Sequence, residues 1–511
     1  MEFLTIPSEK LLRIHTLGEL KAAGYESYGI KDELRRNLVE KLRKKQEVFP
    51  GIWGYEDTVI PDIERAILSQ HNINLLGLRG QAKTRLARLM VNLLDEYIPV
   101  VANSELNDDP LMPVSRLARD LIKEHGDSTP ISWMHRDERY TEKLATPDVS
   151  IADLIGDVDP IKAATLKLPY SDERVIHYGL IPRSHRGIFV INELPDLQAR
   201  IQVALFNILQ EGDIQIRGFK LRLPLDIQFV FTANPEDYTN RGSIVTPLKD
   251  RIDSQIITHY PKDIEVGKKI TDQEAHIKPT QKESITVHEL SKDLIEQIAI
   301  EARDSEYVDA KSGVSARLTI SAYENLMSSA ERRQLINGEK ETFIRVSDFI
   351  GVIPAITGKV ELVYEGEQEG PGIVANNLVG KAIRTLFVEY FPNPDDLRKH
   401  KDRPNPYKKI IDWFGDSNML DILHDASDVE HYKGLKEVPG LEDLIEKHQK
   451  GLDKETKKFM MEFALHGLAE FSMLSKHQLT RGLQFKDLLS SMFSMDQLEK
   501  DDDEDDEFGI R

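Results

Sequence analysis

The sequence predicts an α/β module, a parallel sheet flanked by helices, followed by an α-helical domain and a further mainly helical C-terminal region. Three observations predict it. Short apolar runs alternate with helical stretches between residues 60 and 262, and runs this short suit strands buried on both faces. One run passes directly into a Gly-rich loop and then a helix. Beyond residue 263 the strand runs stop and helical spacing takes over.

In chain order, residues 1–46 read as a charged helical segment in which Leu34, Leu38 and Leu42 stand four apart on one face. Pro50, Gly51 and Gly54 mark its end. The α/β domain then spans 47–262, with strand runs at 72–78 (NINLLGL), 187–194 (GIFVINEL) and 226–234 (DIQFVFTAN). A helical domain covers 263–365, with helices expected at 291–304 and 316–335. The stretch 364–373 (YEGEQEGPGI) reads as a break, and 366–500 as a C-terminal helical region. Residues 501–511 form an acidic tail expected to be disordered.

Composition narrows the function. The 511 residues include no cysteine, which excludes disulfides, Cys-ligated zinc, iron–sulfur clusters and thiol nucleophiles. Net charge is −20, and the DDDEDDE run at 501–507 supplies seven of those charges. The remaining field argues against duplex nucleic acid or anionic lipid as a partner. The N-terminal MEFLTIPSEK lacks a signal-peptide layout and no apolar run reaches membrane-spanning length, so a cytoplasmic location is expected. His424, His431, His448, His466 and His477 are dispersed and read as packing or surface residues.

The strongest motif is Gly77-Leu-Arg79-Gly80-Gln81-Ala82-Lys83-Thr84, between an apolar strand and a helix. This is the P-loop pattern, with Ala82 where the last glycine usually stands, a place read as needing only a compact residue. Backbone N–H groups curve around phosphate oxygens, and the helix adds its positive end. Lys83 can reach the β- and γ-phosphates of ATP, and the Thr84 hydroxyl can ligate Mg²⁺. The 187–194 run ends in Asn192-Glu193. Glu193 can serve as a base or be an ordinary solvated strand end, while Asn192 keeps a metal-side oxygen without the charge of the usual Asp. The 226–234 run ends in Thr232 and Asn234. Asn234 can orient water with Glu193, or simply make the turn before Pro235. Residues 213–224 read as a β-hairpin around Arg217-Gly218, and Arg251 follows at the end of TPLKDR, either a surface ion-pairing residue or one that reaches a neighbouring subunit.

Together, Gly77–Thr84, Asn192-Glu193, Asn234, the hairpin and Leu248-Lys-Asp-Arg251 resemble an AAA+ ATPase, and more narrowly the magnesium chelatase I-subunit and MoxR branch. GLIPRSHRGIFVINELPDL (179–197), DLIGDVDPIKA (153–163) and Arg79 carry the narrower resemblance, with Ile252 where that family has Phe. GVSARLT (313–319) resembles the lid site of a sensor arginine, placed on Arg317, and RVSDFIGVIPAI (345–356) resembles the final lid helix. The resemblance covers about 47–360; residues 1–46 and 374–511 fall outside it.

The resemblance implies a homo-oligomeric ring, usually a hexamer, with ATP and Mg²⁺ between protomers and Arg251 supplied by the neighbour. It implies either a chelatase-type motor for metal insertion into a porphyrin or a MoxR-like chaperone acting on a separate von Willebrand factor A domain partner. A non-hydrolysing nucleotide-binding scaffold is the third reading. No GAFTGA loop and no Ser–Lys protease pattern is present.

Overall fold

The computed structural model describes residues 8–170, 172–214, 216, 223–235, 243–399 and 404–488. The acidic tail and the centre of the expected hairpin lie outside the described residues. The chain divides into two compact units, Met1–Tyr260 and Pro261–Arg511.

The first unit is built on a five-stranded parallel sheet. Its strands are β1 (Ile73–Leu76), β2 (Tyr140–Leu144), β3 (Gly187–Asn192), β4 (Ile227–Ala233) and β5 (Ser254–Ile257), in the order β5-β1-β4-β3-β2. Leu76 pairs with Ala233 and with Ile257, and Leu144 pairs with Asn192, so the strands end near one level. Every residue of β3 and β4 is buried. Their side chains alternate between two cores, as a period of two requires. Phe189, Ile191, Phe229 and Phe231 face one side, with Ile201 and Leu205 of helix α3 (Ala199–Glu211). Ile188, Val190 and Val230 face the other, with Leu34 and Leu38 of helix α1 (Ile30–Arg43) and Leu86 of helix α2 (Lys83–Leu89).

The sequence shows three of the five strands as apolar runs. β2 and β5 are sheet edges, and an edge strand need not be apolar throughout. β2 reads YTEKL and has no fully buried residue. Of the three leucines on α1, Leu42 is exposed, because the last turn, with Lys41 and Arg43, runs out past the core. A buried bidentate ion pair fixes α1: Arg139 reaches Glu33 at 2.7 and 2.6 Å, and its Nε donates to the Arg186 carbonyl at 2.8 Å. Removing one member of such a pair costs ~3–5 kcal/mol because the other is left buried and unpaired. After α3, Gly212 adopts φ 65° and Asp213–Ile214 pairs antiparallel with Leu223–Pro224, the base of the expected hairpin.

The second unit holds the long helices α4 (Glu289–Arg303), α5 (Arg317–Asn337), α6 (Pro371–Tyr390) and α7 (Lys454–Glu470). Residues 345–356 differ from the single helix expected there: a 3₁₀ stretch, Val346–Val352, leads into a short α-helix, Ile353–Thr357. The Gly-rich break contains its own short helix, Tyr364–Glu369, which stops at Gly370 (φ 97°) before Pro371 opens α6. The C-terminal region also carries a sheet that helical periodicity did not reveal. Strands β6 (Leu420–Leu423), β7 (Ser475–Leu479) and β8 (Gly482–Lys486) pair antiparallel in the order β6-β8-β7.

Arg333 ties α5 to this region. Its guanidinium, 1% exposed, bonds Asp348 at 2.9 and 3.2 Å, Asp428 at 2.8 Å, Thr342 Oγ1 at 2.8 Å and the Phe343 carbonyl at 2.7 Å. On α7, Glu462 accepts from the N–H groups of Val346 and Ser347 at 2.9 and 2.8 Å, and His431 lies 3.3 Å from it. No helix among the described residues is long and apolar enough to cross a membrane.

Glu296 on α4 is buried, and burial pushes its carboxyl up to about 7, against the opposing hydrogen bond from Thr271 Oγ1 at 2.6 Å. The folded state therefore holds a proton that the unfolded chain releases near 4.5. Stability from this group is complete below 4.5 and declines as pH rises toward 7, by up to about 3 kcal/mol. Glu296→Gln should flatten that decline, raising stability at pH 8 more than at pH 5 in urea melts. An equal effect at both pH values would show that Glu296 is ionised in the fold.

Candidate nucleotide-binding site

The loop leaves β1 where β4 ends, with the Gly77 N–H donating to the Ala233 carbonyl at 3.1 Å. A Cβ at Gly77 would lie 2.0 Å from Thr258 Oγ1 and 2.2 Å from Gln81 Oε1, so any other residue there would have to displace both side chains. Gly80 has φ 75°. Ala82 sits in the left-handed region at φ 56°, ψ 17°. Compactness is therefore not the whole requirement at this position. An L-residue there carries ~1–2 kcal/mol of strain that glycine avoids.

Side chains outside the motif hold the loop. Tyr55 Oη lies 3.0 Å from the Gln81 carbonyl and 2.7 Å from the His259 carbonyl, its one proton shared between them, and Tyr260 Oη donates to the Arg79 carbonyl at 2.8 Å. In a planar trans peptide the C=O and the following N–H point opposite ways. Tethering these carbonyls thus aims the N–H groups of Gly80 and Ala82 away from the tyrosines. The Gln81 side chain is used within the fold, accepting from Thr258 Oγ1 at 2.6 Å. The Arg79 side chain is exposed.

Lys83 opens α2 and is buried beneath the loop. Its ammonium donates to the Gly77 carbonyl, to the Leu78 carbonyl at 2.9 Å and to Asn234 Oδ1 at 2.7 Å. These three acceptors are uncharged. Asn234 then donates from Nδ2 to Glu193 Oε2 at 2.7 Å. A polar chain Lys83–Asn234–Glu193 therefore spans the tips of α2, β4 and β3. Glu193 has φ 55°, ψ 50°, a strained conformation for a side-chain-bearing residue, and its N–H donates to Thr232 Oγ1 at 3.1 Å. Strain of this kind collects at functional positions.

A second chain runs beside the first. Thr84 Oγ1 donates to Asn192 Oδ1 at 3.3 Å, and Thr232 Oγ1 donates to the same oxygen at 3.1 Å. Asn192 Nδ2 donates to Glu142 Oε1 at 3.0 Å. Glu142 also receives Arg88 Nε and Nη2, both at 2.9 Å, and Tyr140 Oη at 2.9 Å. Burial acts to raise the Glu142 carboxyl, but the hydrogen bonds from Arg88 and Tyr140 outweigh it and hold the group below the usual range. Sequence reading missed Glu142, Tyr140 and Arg88, and the loop supports Tyr55, Thr258 and Tyr260. The available signal was the alternation of Tyr140, Glu142 and Leu144 on one face of a short strand.

The remaining sequence candidates lie elsewhere. Arg251 follows the short helix Thr246–Lys249, donates to Gln210 Oε1 at 3.0 Å and the Pro247 carbonyl at 2.8 Å, and stands 5.2 Å from the Phe206 ring centre. These contacts are to α3 and its own turn, not to the strand tips. Arg317 opens α5 in the second unit and is exposed.

A β1–loop–α2 turn carrying the Gly77–Thr84 motif on a parallel sheet ordered β5-β1-β4-β3-β2, with Glu193 and Asn234 at adjacent strand tips, decides the type of module. The chain carries an AAA+ ATPase module. A family model described as the sigma-54 interaction domain matches residues 169–256. The magnesium-chelatase 38 kDa subunit of Cereibacter sphaeroides is 26% identical over 141 residues, 26% of this chain and 40% of that subunit. The chain thus spans less than half the length of this curated relative. Among solved structures, a model of the complex between subunits BchI and BchD of magnesium chelatase covers 63% of this chain and 98% of its own, at 19% identity and TM-score 0.32. A putative ATPase from Cytophaga hutchinsonii covers 71% of this chain and 97% of its own, at 18% identity and TM-score 0.28.

Ala82→Gly in the AAA+ loop should stabilise the protein by up to about 1 kcal/mol, the relieved strain less the added freedom of the unfolded chain. Urea unfolding measures the change. Destabilisation would mean the left-handed turn is not strained by alanine.

Proposed function

We propose that the protein hydrolyses ATP as the motor of a homo-oligomeric ring, most simply a hexamer, and uses the cycle to do conformational work on a partner. The contact that carries this reading is Asn234 Nδ2 to Glu193 Oε2 at 2.7 Å, with Lys83 on the other side of the same amide. In one side chain it links the phosphate-side cation to the carboxylate that would accept a proton from water. That arrangement favours hydrolysis over a passive scaffold.

In this reading the loop N–H groups and Lys83 bind and orient the β- and γ-phosphates. Glu193 accepts the proton of the attacking water, and Asn234 holds the Glu193 carboxylate in place. Thr84 Oγ1 and Asn192 Oδ1, 3.3 Å apart, form an all-oxygen donor set of the hard kind that suits Mg²⁺. Mg²⁺, when bound, neutralises phosphate charge. Arg251 acts on the nucleotide of the neighbouring protomer, and Arg317 senses nucleotide from the lid.

The chelatase relative suggests one kind of work, metal insertion into a porphyrin within a larger complex. A second reading is a MoxR-like chaperone acting on a protein partner with a von Willebrand factor A domain. The extra C-terminal region, joined to the second unit by the Arg333–Asp428 contact, supports a client distinct from that of a chelatase subunit.

Lys83→Ala should abolish tight ATP binding in a folded protein, read by titration; unchanged affinity would remove the loop assignment. Glu193→Gln should keep ATP binding and slow single-turnover hydrolysis by ~10²-fold or more. Arg251→Ala should bind ATP yet lose hydrolysis in the assembled ring, and mixing it with Glu193→Gln subunits should recover part of the activity. No recovery in demonstrated mixed rings would sink the action of Arg251 between subunits.

A further inference from the structure

Asn192 stands where P-loop ATPases usually end this strand in an aspartate, so the side chain bonded to Thr84 carries no negative charge. The structure shows a carboxylate one hydrogen bond away. Glu142 lies on β2 and Asn192 on β3; Leu144 pairs with Asn192 and Glu142 with Val190, so Glu142 is the diagonal neighbour of Asn192. Side chains two apart on a strand share a face, and diagonal neighbours are within reach of a long side chain. The observed contact, Asn192 Nδ2 to Glu142 Oε1 at 3.0 Å, is that reach.

The contact closes a ring. Thr84 and Arg88 are four apart on α2, one above the other on the helix surface. Thr84 donates to Asn192, Asn192 donates to Glu142, and Arg88 returns to Glu142 with two hydrogen bonds. Each member fixes the next. Glu142 can only accept, so it takes the NH₂ end of the Asn192 amide and turns the oxygen toward Thr84.

Resting on the nucleotide-binding reading above, we propose that Glu142 is a positioning residue that supplies, one shell further out, the negative charge Asn192 lacks. It orients the Asn192 oxygen toward the Thr84 hydroxyl and places a carboxylate, itself paired with Arg88, behind that amide dipole. The carboxylate and the amide together do the work that a single aspartate does elsewhere, with the charge moved from β3 to β2.

The test is a double-mutant cycle on the full chain: wild type, Glu142→Gln, Asn192→Asp and the two combined. Binding of a fluorescent ATP analogue is measured against Mg²⁺ concentration and again in EDTA, with a thermal melt of each protein. Glutamine can still accept from the Asn192 amide, so Glu142→Gln removes charge with little loss of shape. It should raise the Mg²⁺ concentration for half-maximal binding about tenfold or more, as outer-shell substitutions do. Affinity in EDTA should stay within about threefold of wild type, since the loop N–H groups and Lys83, which would hold the phosphates, are unchanged. The combined variant exchanges amide for carboxylate and should return the Mg²⁺ requirement to within about threefold of wild type. Asn192→Asp should help much more in the Glu142→Gln background than alone, where two carboxylates would face each other.

Unchanged Mg²⁺ dependence in folded Glu142→Gln would overturn the proposal. So would an Asn192→Asp effect of equal size in both backgrounds, which would make the two residues independent. A loss that appears equally in EDTA and in the melt would assign Glu142 to structure alone. Absence of ATP binding by the wild type would instead remove the nucleotide-binding reading on which all of this rests.

Discussion

The seating of β1 between β4 and β5 is the constraint from which the rest of the first unit follows. Parallel pairing on both sides forces all three strands to finish at the same edge of the sheet. The chain must then leave β1 through a loop that cannot pair further. Gly77, closed in by Thr258 from β5's continuation and hydrogen bonded to Ala233 of β4, is the point where that exit is decided. Lys83, at the start of α2, meets Asn234 and Glu193 because β4 and β3 end beside the loop that leads into that helix.

The parts of this arrangement that the sequence shows are those buried on both sides. β1, β3 and β4 are interior strands, and burial of both faces writes them as continuous apolar runs. β2 and β5 lie at the edges, where one-sided burial permits Glu142, Lys143 and Gln255, and no apolar run survives to be read. The C-terminal sheet is hidden for a similar reason. β7 (SKHQL) is wholly polar until its last residue, and β8 buries only Gly482 and Phe485.

The site was legible residue by residue but not as a network. Lys83, Thr84, Asn192, Glu193 and Asn234 stand out by spacing from a loop and two strand ends. Glu142 does not, because its relation to Asn192 exists only across the β2–β3 pairing, about 50 positions along the chain. The backbone at Ala82 is a different kind of omission. A sequence gives the identity of a residue and not its φ, so an alanine accepted for its size conceals a turn that works against its Cβ.

Arg333 gives the second unit a mechanical property. Arg317 begins α5, and Arg333 lies sixteen residues further along the same helix, a span of about 24 Å at the α-helical rise. The guanidinium at the far end is clamped by two aspartates, one of them, Asp428, beyond β6 in the chain. A continuous helix is stiff along its axis, and Arg333 holds Asp348 with two hydrogen bonds and Asp428 with one. Tilting α5 at Arg317 therefore swings its opposite end like a lever arm and drags the helix that begins at Asp428 along with it. The protein has coupled a stiff rod to a charged clasp, so a displacement of an ångström or two at one end need not be dissipated before it reaches the other.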